Sequence, residues 1–348
     1  MVGKVAIVGA GPSGCFLAQA LLKAAPDLEL DLLDALPVPY GLVRYGVAAD
    51  HQGTKAVTRQ FARLFERQGA RFFGNLAVGR DVTLEELHAA YDAVVLAMGM
   101  PVDRRLGVPG DDFAGVYGAG RLTRALYEHP DAEPLPDLGP DPLIVGNGNV
   151  AIDLLRLLAK TPEELDGSDL GPGPTAWLAA SGIETITIVG RSPAARAKFD
   201  PVMIKELGKL AGVSIEVVGA GKSDDPEAVK RLAALAEIQS LGTGARSVTF
   251  RFGLTPAEVL GDGQTAQAVR FSDGDGGDET IACSAVITAI GFAPATDLPR
   301  DELRAAAADP DTGILGHGLY ATGWFRRGPR GTIPENRADA QELAGCIL

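Results

Sequence analysis

Short apolar runs recur along the chain, and most lead into a stretch whose apolar positions fall at helical spacing. Residues 4–8, with Val5-Ala-Ile-Val8, read as a buried strand. Cys15 to Ala25 then carries apolar residues at helical spacing and stops at Pro26. Leu28 to Leu33 reads as the next strand, with Glu29 and Asp31 alternating outward. Gln60 to Gln68 predicts a helix, Arg71-Phe-Phe73 a short strand, and Tyr91 to Leu96 another strand ending in Ala97-Met98-Gly99. A proline-rich connector, His129 to Pro142, precedes a second cycle: the run Leu143-Ile-Val145, a helix over Val150 to Ala159, a loop over Thr161 to Pro174 and a strand over Thr185 to Val189. Further on, Pro226 to Gln239 predicts a helix, Val248 to Phe252 and Ala285 to Ile290 predict strands, and Ser272 to Glu279 reads as an acidic turn. Leu319 to Thr322 predicts a short strand, then a turn rich in Gly and Arg, then a final helix from about Glu335. Strands alternating with helices predict an α/β fold with parallel sheets, and 348 residues suggest two domains of about 150 residues each.

Two of the strands run straight into a glycine fingerprint. The first is Gly9-Ala-Gly11-Pro-Ser-Gly14, the second Gly146-Asn-Gly148-Asn-Val-Ala151. Gly9 permits a tight turn, Gly11 lets backbone approach a pyrophosphate, and Gly14 lets the helix pack on the strand. The helix that starts at about Pro12 and Ser13 offers free N–H groups and the positive end of its dipole to the phosphates. Asp34, at the end of the second strand, is placed to bind ribose hydroxyls, and Asp31 is the weaker candidate because it leaves from mid-strand. In the second unit Ala151 stands at the last fingerprint position, and the strand end reads Ile188-Val-Gly-Arg191-Ser192. Arg191, where an acid would favour NAD, favours the 2′-phosphate of NADP. Two such units in one chain suggest two bound dinucleotides with an electron path between them.

Composition narrows the field. The net charge of -13 disfavours nucleic acid, and it repels an acidic partner unless basic residues cluster locally. The three cysteines, Cys15, Cys283 and Cys346, form no Cys-x-x-Cys pair, so a disulfide framework, a zinc site and a dithiol relay are all disfavoured, and no metal is expected. Reducing, cytoplasmic surroundings fit best. Lys4 and the apolar run to Leu22 resemble a secretion signal, but glycines interrupt the run and no small-x-small cleavage site follows. No segment reaches the roughly 18 uninterrupted apolar residues of a membrane helix. Gly-x-Ser-x-Gly, metal-ligand and kinase signatures are missing.

The segment Leu36-Pro-Val-Pro-Tyr-Gly-Leu-Val-Arg-Tyr-Gly-Val-Ala-Ala-Asp-His51 resembles the adrenodoxin-reductase-like branch of the ferredoxin–NADP reductases, within the glutathione-reductase superfamily. It departs from the usual run by Ala49 in place of a proline. Arg71-Phe-Phe-Gly-Asn75, Val145 to Ala151 with Asp153, and Gly323-Trp324 with Arg327-Gly-Pro329, Gly331, Ile333 and Asn336 also resemble that family, in the same order over nearly the whole chain. The resemblance implies two Rossmann-like domains, with a discontinuous FAD domain (residues 1–105 and 317–348) and an inserted NADPH domain (106–316). It implies FAD at Gly9, Gly11, Ser13, Gly14, Asp34 and Leu42, with Val82 at the adenine and Gly99 also at the cofactor. Trp324 and the turn Gly331-Thr332-Ile333 would lie at the flavin ring. NADP would lie on Gly146, Asn147, Gly148, Asn149 and Val150, with Arg191, Ser192 and Glu206 at the ribose and phosphate. The family usually has two arginines where Arg191 and Ser192 stand, so a weaker NADPH preference is expected, with Arg196 or Lys198 supplying charge. His51 and Asp153 would position groups or manage protons beside the nicotinamide.

A flavin accepts a hydride and releases single electrons. With no dithiol in the chain, the acceptor is expected to be external, and the resemblance implies a ferredoxin-type iron–sulfur protein. Arg326, Arg327, Arg330 and Arg337 are the candidate docking patch near the flavin edge. The segment that carries the family's basic docking residues is shortened after Val218 to Lys222–Gln239, with Asp224, Asp225 and Glu227 mixed in. Two other readings are compatible with the residues: a flavin oxidoreductase serving a small-molecule acceptor in a biosynthetic pathway, and a non-catalytic nucleotide-binding or redox-sensing module.

Overall fold

The computed structural model describes every residue except 1, 243, 275, 296, 297 and 308, so one position of the acidic turn at 272–279 lies outside the described residues. The chain divides into two compact units. One comprises Met1–Val47, His51–Val102 and Phe292–Leu348, the other Ala48–Asp50 and Asp103–Gly291.

The first unit is built on a six-stranded sheet in the order Ile314–Gly316, Leu319–Ala321, Ala93–Leu96, Lys4–Val8, Glu29–Leu33, Arg71–Phe73. The last five strands are mutually parallel, and Ile314–Gly316 adds an antiparallel edge. Val8 lies opposite both Leu33 and Leu96, so three strand ends meet at one edge. Their near-continuous apolar runs are what a sheet covered on both faces requires. On one face the helix Pro12–Ala24 buries Cys15, Phe16, Leu17 and Leu21 in a cluster that the helix Ile333–Ile347 completes with Ala340, Leu343, Ala344 and Ile347. The helix Thr58–Arg67 contributes Phe61, which meets Phe16 edge-on with ring centroids 4.9 Å apart. Asp31, which the alternation turns away from the core, is only 1% exposed. Arg71 donates to it at 2.6 and 2.8 Å and the Tyr91 hydroxyl at 2.6 Å.

The second unit has its own six-stranded parallel sheet, in the order Val116–Gly118, Ala285–Thr288, Pro142–Val145, Thr185–Gly190, Arg246–Phe252, Val213–Val218. A separate antiparallel meander, Thr255–Gly261, Ala266–Ser272 and Asp278–Ala282, packs Val259, Val269 and Phe271 against Leu143, Val189 and Val286.

Several elements differ from the sequence expectation. Residues 292–316, assigned there to the inserted domain, join the first unit, because Ile314–Gly316 pairs with Leu319–Ala321 and Leu298 and Leu315 are buried with Phe325. The opening boundary falls at Asp103 rather than 106. The helix Pro172–Ala180 occupies part of the expected loop, with Pro172 at its first position, where the missing N–H costs nothing. The strand Val213–Val218, which the alternation Val213-Ser-Ile-Glu-Val217 signals, and the short helix Gly323–Arg327 lie outside the expected elements. The last helix starts at Ile333 because Thr332 and Glu335 form a reciprocal capping box.

Phe61 is fully buried, so Phe61→Ala leaves a cavity and is expected to cost about 4 kcal/mol. The protein has two tryptophans, Trp177 and Trp324, one in each unit. Urea unfolding followed by Trp324 fluorescence in a Trp177→Phe background checks this, and an unshifted midpoint contradicts the packing described.

Candidate functional site

At the end of Lys4–Val8 the chain turns through Gly9, whose φ is +107°, and a Cβ there would lie 2.6 Å from the Ala97 carbonyl oxygen. A Cβ on Gly14 would lie 2.0 Å from the Gly9 oxygen, so the crossing of strand, turn and helix excludes side chains at both positions. At Gly11 an added Cβ would meet only Gly41, at 4.0 Å, which leaves an open approach to the backbone. The helix Pro12–Ala24 has no side-chain cap and no acid in its first turn, so its leading N–H groups are available to an anion.

Asp34 follows Glu29–Leu33 and accepts from the Ala10 N–H at 2.8 Å and the Leu36 N–H at 2.9 Å, which pins it beside the turn. Burial pushes its carboxyl up against these two bonds. Asp31, committed to Arg71 and Tyr91, is not the acid at this turn. Gly41, with φ +45°, closes on Gly11 and carries Leu42, which is 42% exposed, past the turn. Gly99, with φ +71°, follows the neighbouring strand Ala93–Leu96 at the same sheet edge. Val82 packs on the apolar cluster that includes Val8 and Leu33, and its carbonyl accepts from the Gly79 N–H at 2.8 Å.

The C-terminal segment meets this turn directly, since a Cβ on Gly323 would lie 2.0 Å from the Ser13 hydroxyl oxygen. Its anchor is Asp339, 5% exposed, which accepts from the Thr322 hydroxyl at 2.9 Å and from the Gly323 N–H. Trp324 stacks on Phe292 at 5.9 Å and donates its indole N–H to the Gly331 carbonyl at 3.2 Å. The hydrogen bond from the Thr332 N–H, together with the Thr332 side chain, holds the Glu335 carboxyl below its ordinary value.

The arginines near this segment do not form the expected patch. Arg326 is 8% exposed and ion-paired with Asp339, because a carboxylate buried this deeply requires a counter-charge. It is internal and unavailable for docking. Arg327 donates to Asn336 at 2.6 Å and to the Arg330 carbonyl at 3.1 Å, holding the turn, while Arg330 and Arg337 are exposed.

In the second unit the turn at Gly146 repeats the design. Its φ is +120°, and a Cβ would lie 2.2 Å from the Ala289 oxygen. Gly148 faces open space, and the helix Asn149–Ala159 again lacks a side-chain cap and a leading acid. Ala151 is fully buried, Val150 half-buried. The Asn147 amide nitrogen is buried against Gly190 without a hydrogen-bond partner among the described residues. Asn149 accepts from the Asp200 N–H at 2.9 Å and so ties the turn to the helix Pro201–Leu207. Arg191 is exposed and Ser192 half-buried at the end of Thr185–Gly190, with Arg196 and Lys198 exposed just beyond.

Arg156 carries no sequence motif, yet it organises the acids of this region. It is 3% exposed, donates to Asp153 at 2.9 Å, lies 3.5 Å from Glu206 and pairs with Asp50, which Lys160 also engages. The available signal was a charged residue inside the apolar run Ile152-Asp-Leu-Leu-Arg-Leu-Leu158. Burial disfavours the charge on Asp50, but Lys160 and Arg156 outweigh it and hold the carboxyl below its ordinary range. His51, the next residue, is half-buried at the start of the short helix Gln52–Lys55 in the first unit, whereas Asp153 belongs to the second.

Cys15 donates to the Ala10 carbonyl, and burial pushes its thiol far up. Burial also raises Cys283, to about 11, while Cys346 is exposed. Among the described residues no group of His, Cys, Asp and Glu is arranged to hold a metal, and no helix is long and apolar enough to cross a membrane. A cavity of about 620 Å³ lined by Val2, His88, Tyr91, Asp92 and His317 lies at the amino ends of the first sheet's strands, opposite the edge that carries the nucleotide turn.

No protein-family model matches the chain. Cindoxin reductase of Citrobacter braakii is 44% identical over 360 residues, covering 99% of this chain and 77% of that protein. NADPH-ferredoxin reductase FprA of Mycobacterium tuberculosis is 35% identical, covering 99% of this chain and 83% of that protein. The mitochondrial NADPH:adrenodoxin oxidoreductase of Arabidopsis thaliana is 31% identical, covering 99% and 81%. Among solved structures, FprA from Mycobacterium tuberculosis in complex with NADPH superposes with a TM-score of 0.91 at 33% identity, over 100% of this chain and 84% of that one. The thioredoxin reductase of T. acidophilum shares the fold, with a TM-score of 0.58 at 17% identity over 99% and 98% of the two chains.

Because its native value is lowered, Asp50 contributes stability above the ordinary value of about 3.9 and loses it as pH falls through the native value. The difference in Tm between wild type and Asp50→Asn is therefore expected to be largest near neutrality and to close below about pH 4. A gap that does not vary with pH contradicts this.

Proposed function

The chain belongs to the adrenodoxin-reductase-like family of ferredoxin–NADP reductases, and from that premise we propose that it is a flavoenzyme that oxidises NADPH through FAD and passes single electrons to a ferredoxin-type iron–sulfur protein. One observation carries the reading. Two separate α/β units each present a glycine turn and an uncapped helix start, one beside an acid, Asp34, and the other followed by an arginine, Arg191.

The first turn fits FAD. Gly11 and the N–H groups after it cradle the pyrophosphate, with Gly9 and Gly14 enforcing the geometry and Ser13 at the helix start. Asp34 takes the ribose hydroxyls, Val82 flanks the adenine, and Gly99 admits the cofactor at the neighbouring strand end. Leu42 and Trp324 line the ring system. The turn Gly331-Thr332-Ile333 opens the helix Ile333–Ile347, whose positive end favours negative charge on the reduced ring. The second turn fits NADP. Gly146, Gly148, Asn149 and Val150 receive the phosphates, and the unpartnered amide of Asn147 is a donor awaiting an acceptor. Arg191 meets the 2′-phosphate as a charged fork and Ser192 adds a hydrogen bond. Glu206 lies toward the adjoining ribose, and Asp153 and His51 position groups or manage protons at the nicotinamide. The bound cofactors supply the chemistry itself, a two-electron transfer from NADPH to the flavin followed by one-electron release.

Docking of the iron–sulfur partner falls to Arg330 and Arg337, the exposed members of the arginine set. Three free thiols, two of them buried, support a reducing, cytoplasmic setting.

The purified protein is expected to be yellow, to bleach on anaerobic addition of NADPH, and to reduce cytochrome c only when a ferredoxin is supplied. Bleaching without ferredoxin turnover keeps the cofactors and moves the acceptor to a small molecule. A flavin that NADPH cannot reduce rejects the enzymatic reading. Arg191→Ala is expected to weaken NADPH about tenfold, the worth of one charge-assisted contact, with NADH unchanged. Equal losses for both nucleotides would remove Arg191 from the phosphate site.

A further inference from the structure

We propose that Arg156 is a positioning residue for hydride transfer, one whose fork orients Asp153 toward the nicotinamide half of the dinucleotide. This rests on the placement of NADP at the second turn given above.

The observations are geometric. The Arg156 guanidinium is 3% exposed, and three carboxylates converge on it. Asp153 comes from the same helix one turn earlier, Glu206 from the helix Pro201–Leu207, and Asp50 from the segment Ala48–Asp50. Lys160 is the second cation, and it engages Asp50. Tyr127 lies within the field of Asp153, Asp50 and Arg156. Three acids gathered this closely repel one another unless a cation lies among them, and only a planar group with several fixed donors can serve three at once. Lysine in that place keeps the charge but not the fork.

Asp153, the acid that matters for the reaction, and Glu206 are also the more exposed ends of this cluster. Asp153 is 17% and Glu206 33% exposed, against 11% for Asp50. Asp153 accepts from Arg156 at 2.9 Å, while Glu206 lies 3.5 Å from it. Asp153 sits one turn inside the helix that begins at the phosphate-facing turn, and Glu206 sits on the helix that Asn149 ties to that same turn. A carboxylate fixed where Asp153 sits favours the positively charged, oxidised nicotinamide and repels the phosphates, so its direction matters.

The test uses the flavin-loaded protein as Arg156→Met and Arg156→Lys variants. It measures flavin reduction by NADPH in anaerobic stopped flow, together with calorimetric affinities for NADP+ and for 2′,5′-ADP, which lacks the nicotinamide. In Arg156→Met the limiting reduction rate is expected to fall about 100-fold, the scale of an ångström-sized misplacement, and the NADP+ Kd to rise about tenfold. The affinity for 2′,5′-ADP is expected to hold, and Arg156→Lys to recover part of the rate. A wild-type limiting rate in Arg156→Met overturns the proposal. So does an equal loss of NADP+ and 2′,5′-ADP, which would reduce Arg156 to a scaffold residue. Should Arg156→Met fail to fold, Arg156→Lys decides alone: a slowed rate with intact 2′,5′-ADP binding supports the proposal, and an unchanged rate overturns it. If wild type itself is not reduced by NADPH, the cofactor assignment fails rather than the role of Arg156.

Discussion

Both glycine turns depend on a close crossing of backbones. Gly9 lies against the Ala97 carbonyl and Gly146 against that of Ala289, at distances no side chain survives. The crossing brings each strand end and the helix after it to the edge of its sheet, and neither helix start carries a side-chain cap of its own. An uncapped helix start is costly unless water or a ligand takes up the N–H groups. The steric constraint therefore produces the chemical one. The surrounding residues follow from it: Asp34 is pinned by the Ala10 N–H of the turn itself, and Asn149 recruits the helix that carries Glu206.

The turns were legible in the sequence because a backbone crossing this close permits only glycine, and glycines at those spacings after an apolar run suit few structures besides a nucleotide turn. The same holds for the buried strands Lys4–Val8 and Pro142–Val145, whose continuous apolar runs state their environment. Less legible was whatever depends on partners distant in the chain. The strand Val213–Val218 carries a strand's alternation, but its place at the sheet edge is set by pairing with Arg246–Phe252, more than thirty residues on. Residues 292–316 join the first unit through a pairing that no local pattern announces. Periodicity says nothing of neighbours such as Ser13 and Gly323, or Gly11 and Gly41, which are distant in the chain and meet only in the fold.

Charge was read least well, for a physical reason. A sequence gives the number of arginines but not which of them are spent inside. Arg326 stands beside Arg327 and looks like surface, yet it neutralises Asp339, which also fixes the start of the helix Gly323–Arg327. Arg156 is shared among three acids in the other unit. With such cations withdrawn, a chain of net charge -13 has less positive surface than its composition suggests.

The helix Ile333–Ile347 lies on the helix Pro12–Ala24, and Leu319–Ala321 is an inner strand of the first sheet. The first unit thus needs residues from both sides of the second, which is nearly continuous in sequence. On the ribosome, the second unit has all its residues to hand once Gly291 is made. The strand Ala93–Leu96 must wait for Leu319–Ala321 to emerge before that edge is paired, and the helix Pro12–Ala24 for Ile333–Ile347 before its cluster is complete. During that interval the first unit presents an open sheet edge, and the burden of avoiding aggregation rests on how quickly those residues arrive.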